Sequence, residues 1–294
     1  MKSFNIQKSL LAAAASALVL GFAAPAMAAD TAPVFQVDTT TVLGASGSTF
    51  FANQILGSST ELLRTGSGAA SDTHTGSGYL LFSSFNLNTV PVRNTGVANS
   101  YDLYVTFQLA DKLKSGTINT PGSVSTVTKL DFQLFISVGA DNTYTPATAN
   151  GTGTEAQVVD VNNDDILLGV GSLISGEDGF DAQGGAYFNS TEAFAVCTGN
   201  GTGSISGMPV AVPGCTTQGV GFFSQPVPFY GLAFDAFNNS GQGFHPTGDV
   251  VAITQASGTV DFNAPTNQVP EPGSLALLGL GLFGIGATLR RRSV

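Results

Sequence analysis

The sequence of 294 residues contains no tryptophan, two cysteines, two histidines and ten lysines and arginines. Each scarcity excludes something. The cysteines have neither Cys-x-x-Cys spacing nor a neighbouring histidine, which argues against a metal or redox pair. His74 stands in a Ser/Thr/Gly loop and His245 in Gly-Phe-His-Pro, so both read as surface residues. No Gly-x-Ser-x-Gly elbow separates a strand from a helix, and no pair of carboxylates is nominated for glycoside hydrolysis. Gly151-Thr152-Gly153 precedes a strand, so it reads as a loop and not a phosphate cradle. Charged residues make up 10% of the chain, well below the roughly 25% of ordinary globular proteins. No internal repeat of 20 to 50 residues is present.

Half of the positive charge is concentrated at the two ends. Lys2 and Lys8 precede an apolar run from Leu10 to Phe22, and Ala26-Met27-Ala28 is a small-residue cleavage pattern. Residues 1–28 therefore read as a signal peptide, with a mature start at Ala29. At the other end Val269-Pro270-Glu271-Pro272 leads into an apolar run from Leu275 to Leu289, followed by Arg290, Arg291 and Arg292. The prolines disfavour helix before them, and Ser274 is placed to cap a helix after them. That apolar run is about 22 Å long as a helix, somewhat short of a roughly 30 Å hydrocarbon core. Residues 273–289 are expected to span by bilayer thinning or snorkelling, with the arginines on the cytoplasmic side.

Without its ends the chain keeps 19 acids against Arg64, Arg93, Lys112, Lys114 and Lys129, a formal −14. Such a surface repels nucleic acid and anionic lipid. Gly, Ser, Thr and Asn are abundant and phenylalanine is the main aromatic, the composition of many short strands joined by turns.

The tail resembles the PEP-CTERM sorting signal of exported proteins of Gram-negative bacteria. The resemblance spans Val269 to Arg292 and rests on the order Val-Pro-Glu-Pro, apolar run, arginine cluster. It implies recognition by an exosortase-type membrane enzyme that removes the hydrophobic tail. It also implies delivery to the cell surface or into an extracellular polysaccharide matrix, with membrane contact through the C-terminal helix before processing.

Residues 29–262 are expected to form one exported all-β domain, joined by a linker at 263–268 to the sorting signal at 269–294. The clearest period-2 signals are Tyr101, Leu103, Val105, Phe107, Leu109 and Leu130, Phe132, Leu134, Ile136, Val138, each alternating with mostly polar neighbours. Pro121-Gly122 suits a hairpin connection between them. Further strands are expected over Val34–Val37, Thr49–Asn53, Tyr79–Leu87, Ala156–Val161, Ile166–Leu168, Ala186–Val196, Gly219–Phe223, Phe229–Phe237 and Val250–Phe262. Ser58–Arg64 reads equally as a strand or a helical turn, and Gly66–Gly78 as a loop. Pro226 and Pro228 bracket Val227 at an edge. Ten to twelve strands in this pattern suggest an antiparallel β-sandwich or jelly-roll-like domain.

Three sets of residues are candidates for chemistry. Cys197 and Cys215 are an even pair in an exported chain, expected to form a disulfide that pins the insert between them. Asp160, Asn162 and Asp164 have the 1-3-5 oxygen spacing of a calcium loop. Asp165 stands where the turn needs glycine, and Gly171 where a bidentate acid belongs, so the segment is not an EF-hand. A solvated turn is the plainer reading; Glu177, Asp178 and Asp181, in a Gly-flanked loop, are further oxygen donors. Phe222, Phe223, Phe229 and Tyr230 surround a proline-stiffened edge, where Phe229 and Tyr230 either stack on sugar rings or belong to the core. Calcium is the single cofactor these patterns suggest.

Val34-Phe35-Gln36-Val37, Leu103-Tyr104-Val105-Thr106-Phe107, Asp165-Ile166-Leu167-Leu168-Gly169 and the Phe222 to Tyr230 segment, with the tail, look like the PEP-CTERM proteins associated with flocculation. That resemblance implies a role in floc and biofilm formation and no catalytic residues. The expected function is non-enzymatic: an exported surface or matrix protein associated with exopolysaccharide. The alternatives are a secreted lectin-like carbohydrate-binding protein and an extracellular hydrolase.

Overall fold

The computed structural model describes residues 32–42, 48–239 and 244–263, and the statements below concern these residues. The signal peptide, the sorting residues Val269 to Pro272 and Arg290 to Arg292, and the apolar segment 273–289 lie outside them. No helix among the described residues is long and apolar enough to cross a membrane.

Strands account for most of the described chain. They are β1 (Phe35–Asp38), β2 (Thr49–Ala52), β3 (Gln54–Thr65), β4 (Thr73–Leu87), β5 (Val90–Pro91) and β6 (Tyr101–Ser115). Next come β7 (Val124–Val138), β8 (Thr143–Thr145), β9 (Gln157–Val159), β10 (Ile166–Phe180), β11 (Ala186–Gly199) and β12 (Thr202–Ile205). The last are β13 (Met208–Ala211), β14 (Phe223–Gln225), β15 (Leu232–Asn239), β16 (Phe244–Thr247) and β17 (Val250–Asn263).

Eight strands pair in the order β3-β4-β6-β7-β10-β11-β15-β17, every pair antiparallel, and β17 returns to pair with β3. The sheet therefore closes on itself as an up-and-down barrel, where the turn spacing had suggested two stacked sheets or a jelly roll. Closure removes the exposed edges that an open sheet of this length would carry. Register shifts at Leu56/Gly57, Ala110/Asp111, Leu167/Gly169, Leu173/Ser175 and Ile253/Ala256 supply the local coiling that closure needs.

Glycine lets the strands approach closely. Gly78, placed by sequence in a loop, lies inside β4, where a Cβ would sit 2.2 Å from the Thr60 carbonyl oxygen. Gly171 in β10 faces the Phe132 ring, and a Cβ there would be 2.1 Å from Cζ. These glycines are strand residues fitted to a crowded wall, not turn signals. Ser58–Arg64 resolves the same way, as part of β3.

A three-stranded sheet, in the order β14-β1-β2, joins its side chains to the barrel core. Phe35 meets Phe262 edge-on at 5.3 Å, Phe50 meets Phe85 at 4.9 Å, and Phe223 stacks on Phe229 at 4.8 Å. These contacts fall at the end of the barrel where β3 begins and β17 finishes, and they stopper it with phenylalanine.

Two appendages cover the outer wall. Residues 139–165, which include the β8–β9 hairpin, run across β6, β4 and β3. Tyr144 packs edge-on against Tyr104 on β6, Ala147 N–H donates to Thr60 Oγ1, and Ala147 and Ala149 pack on Leu62 and Ala252. This strap explains why Asp102 and Tyr104, on the outward face of β6, are nevertheless buried. The second appendage is the β12–β13 hairpin, which packs Val212 on Leu167 and Ala195.

Candidate functional site

The barrel lumen contains a polar end that the sequence had assigned elsewhere. Inward-facing residues alternate along each strand, and at the end opposite the phenylalanine stopper that row supplies Glu61, His74, Asp111 and Asp178. His74 is 3% exposed, not a surface residue. Its Nδ1 lies 3.0 Å from both Asp111 carboxylate oxygens, and its Nε2 lies 2.8 Å from Asn119 Oδ1. Asn119 is oriented by donating its own amide to Thr65 Oγ1 at 2.9 Å. Both ring nitrogens thus face acceptors, which favours the imidazolium. Burial opposes that charge, but the hydrogen bonds and nearby charge of Asp111, with Asn119 and Glu61, outweigh it and raise the His74 pKa.

The carboxyls move the same way. Burial, reinforced by Asp111, pushes Glu61 up to about 7. Asp178 lies within β10 instead of the expected loop, and burial together with Asp111 raises it to about 9. Further along the lumen Glu192 is raised to about 9, by burial first and then by the neighbouring Asp235, which is itself raised by burial. Ser190 donates to Asp235. At neutral pH Asp178 and Glu192 are therefore largely protonated, as like charges in a poorly solvated space require. These residues and the surrounding apolar side chains enclose a cavity of about 80 Å³.

The acidic loop is built differently from its predicted form. Carboxylate oxygens of Asp160, Asp164 and Asp165 lie within 4.8 Å of one another, so Asp165 joins the group that spacing had assigned to Asp160, Asn162 and Asp164. Asn162 donates instead to Asp141. Asp160 accepts from the backbone N–H groups of Asp164 and Asp165, at 3.2 and 3.4 Å. Asp165 accepts from Tyr104 and from Asn142, fastening the strap to the barrel wall. Burial and then repulsion from Asp141 and Asp160 raise the Asp164 pKa. The three carboxylates can receive a cation, and their present partners already give the loop a structural task.

The aromatic edge separates into two fates. Phe229 is 5% exposed and its ring face is taken by Phe223, so it belongs to the core and offers no sugar platform. Tyr230 is partly exposed and donates its hydroxyl to the Val34 carbonyl at 3.0 Å, which ties down the proline-bracketed segment. Phe222 and Phe223 are likewise buried.

Cys197 and Cys215 form a disulfide with Cα atoms 5.5 Å apart. Both cysteines are buried, and the bridge anchors the base of the β12–β13 hairpin to the wall at β11. Between that hairpin and the β9 edge of the strap, a groove of about 690 Å³ crosses the outward face of β4, β6, β7, β10 and β11. Its floor carries Tyr79, Thr106, Gln108, Asp131, Gln133 and Ser172. Hydroxyls and carboxamides suit hydroxyl-rich ligands. The sequence signal for it was the polar half of the β6 and β7 alternation, Thr106-x-Gln108 and Asp131-x-Gln133. The two walls come from distant segments and had no such signal.

Neither a curated protein nor a solved structure matches the chain. One family model does, the PEP-CTERM protein-sorting motif, over residues 268–292. The chain thus carries a PEP-CTERM sorting motif, which marks it as an exported, cell-envelope-associated protein sorted by an exosortase.

Proposed function

We propose that the exported barrel is a non-catalytic matrix protein that holds exopolysaccharide in its outer groove and so contributes to floc and biofilm aggregation. The observation that carries this reading is the groove. It is long, open and lined by side chains that exchange hydrogen bonds with hydroxyls, on a chain whose tail carries a sorting motif. Asp131 is the one carboxylate among the described residues lining it, and Lys129 pairs with Asp131 at 3.2 Å. Glycoside hydrolysis needs two opposed carboxyl groups, so this floor favours binding over cleavage. Calcium bridging Asp160, Asp164 and Asp165 to acidic polysaccharide belongs to the same proposal.

A lectin-like protein with one defined sugar is the second reading, and the same groove favours it. A glycan array on the purified protein separates the two: weak, broad binding supports the matrix role, and one tight sugar supports the lectin. Removing residues 269–294 should abolish sorting and aggregation by the producing cells. Unaltered flocs would contradict the proposal.

A further inference from the structure

The chain enters and leaves the barrel at its stoppered end. Phe35 opens β1, Asn263 closes β17, and the Phe35 and Phe262 rings meet there at 5.3 Å. Residues 264–272 then separate Asn263 from the apolar segment 273–289, a span of at most about 32 Å when fully extended. A 15-residue strand such as β6 is about 50 Å long, so at the usual tilt the barrel stands about 35–40 Å tall. With the tail in a membrane, this tether brings the stoppered end to the bilayer and is too short to bring the opposite end there.

The surface at that end differs from the rest of this acidic chain. Val34, Phe51, Val90 and Val227 are 46, 51, 65 and 78% exposed. Phe51 lies opposite Gln36, and Val34 stands two residues before Gln36, so alternation puts both on the outward face of the small sheet. Asn88 N–H donates to Asn53 Oδ1 at 2.9 Å, and Ser48 Oγ donates to the Asn94 carbonyl at 3.2 Å. Those two bonds lay residues 88–94 alongside β2, with Val90 and Arg93 among them. Tyr230, bonded to the Val34 carbonyl at 3.0 Å, holds the Val227 segment at the same end. Arg64, Lys112, Lys114 and Lys129 each have a carboxylate partner; among the described cations Arg93 alone has none, and it is exposed. Asp38, the acid of β1, already accepts from the N–H and hydroxyl of Thr40.

We propose that this face rests on the lipid bilayer that receives the tail, with Val34, Phe51, Val90 and Val227 entering the headgroup region and the Arg93 guanidinium meeting lipid phosphate. The proposal rests on the reading of residues 273–289 as a membrane segment and is independent of the polysaccharide reading. Apolar side chains leave water at the bilayer interface, and an arginine without an acidic partner finds phosphate oxygens there. The tether supplies a high effective concentration, so a contact too weak to recruit the barrel from solution is populated once the tail is inserted. A soluble partner has no such advantage. In this orientation the polar end of the lumen points away from the bilayer, and the outer groove stays open along the wall.

The chain has no tryptophan, so a single introduced one reports alone. Phe51→Trp, Val90→Trp and, as a control on the wall at β10, Ile174→Trp are made in the full chain and reconstituted into phosphatidylcholine vesicles, with thermal melts to establish folding. Phe51→Trp and Val90→Trp should emit at shorter wavelength on the vesicles and be quenched by lipid brominated in its acyl chains, whereas Ile174→Trp should do neither. Arg93→Glu added to Phe51→Trp should lower the quenching while the protein still floats with the vesicles. Flotation without quenching at positions 51 and 90, or equal quenching at 174, would overturn the proposal. A shift without quenching that grows with protein density would assign the face to a second copy and overturn it as well. Failure to float would remove the membrane reading of the tail and the proposal with it.

Discussion

At the residue scale the lumen makes stability depend on pH in an unusual direction. In the unfolded chain Asp178 titrates near 3.8 and Glu61 and Glu192 near 4.5; in the barrel Glu61 holds its proton to about 7 and the other two to about 9. Across that interval the folded state binds more protons than the unfolded one. The stability these groups contribute is complete below about pH 4 and is lost as pH rises toward 9. His74, also raised, adds in the same sense. The melting temperature should be higher at pH 5 than at pH 9 by roughly 5 °C or more, measured by circular dichroism, and Glu192→Gln should flatten the slope. A melting temperature that rises from pH 5 to pH 9 would remove this account of the carboxyls. Gly171→Ala tests the crowded wall. Its Cβ meets the Phe132 ring, so a loss of about 1–3 kcal/mol in urea unfolding is expected, while Ser172→Ala, on the exposed face next door, should cost little. The interior acids were half legible. Asp111 continues the row Leu103, Val105, Phe107, Leu109, and Glu192 interrupts Phe188, Ser190, Phe194, Val196, so alternation alone places them inward. That their strands meet around one chamber depends on closure, which alternation does not encode.

At the element scale, the long strands were the readable part because their period-2 pattern runs for many residues. β6 and β7 lie where the alternation placed them, and both outlast it. Gly66–Gly78 misled because glycine signals a turn in one context and close strand packing in another; only the neighbouring Thr60 carbonyl decides between them. The short β8, β9, β12 and β13 carry too few residues for a pattern, and β9, β12 and β13 help to wall the groove. The disulfide should matter chiefly to one of these walls. Closing the 18-residue separation between Cys197 and Cys215 contributes about 3 kcal/mol, and β12 and β13 bond to the barrel through β11 alone. On reduction, limited proteolysis should cut first between residues 198 and 214 while the barrel resists. Simultaneous digestion of the barrel would show that the bridge supports the whole fold.

At the scale of the whole molecule, the two ends and the middle divide the work. The tail carries the sorting motif, and both ends concentrate the positive charge. The region between them is an acidic closed barrel with a stoppered end, a polar lumen and a groove on its outer wall. The tail was fully legible because a sorting signal is read as a linear string. The groove was not, because its floor comes from five strands and its walls from two insertions far apart in sequence. The proposed polysaccharide contact therefore rests on geometry, and co-sedimentation of the purified chain with exopolysaccharide from the producing cells tests it most directly. The intact protein should pellet with the polymer, and Gln108→Ala combined with Gln133→Ala should lower the bound fraction about tenfold at unchanged melting temperature. Pelleting of that folded double variant to the same extent as the intact protein would contradict the groove as the binding surface.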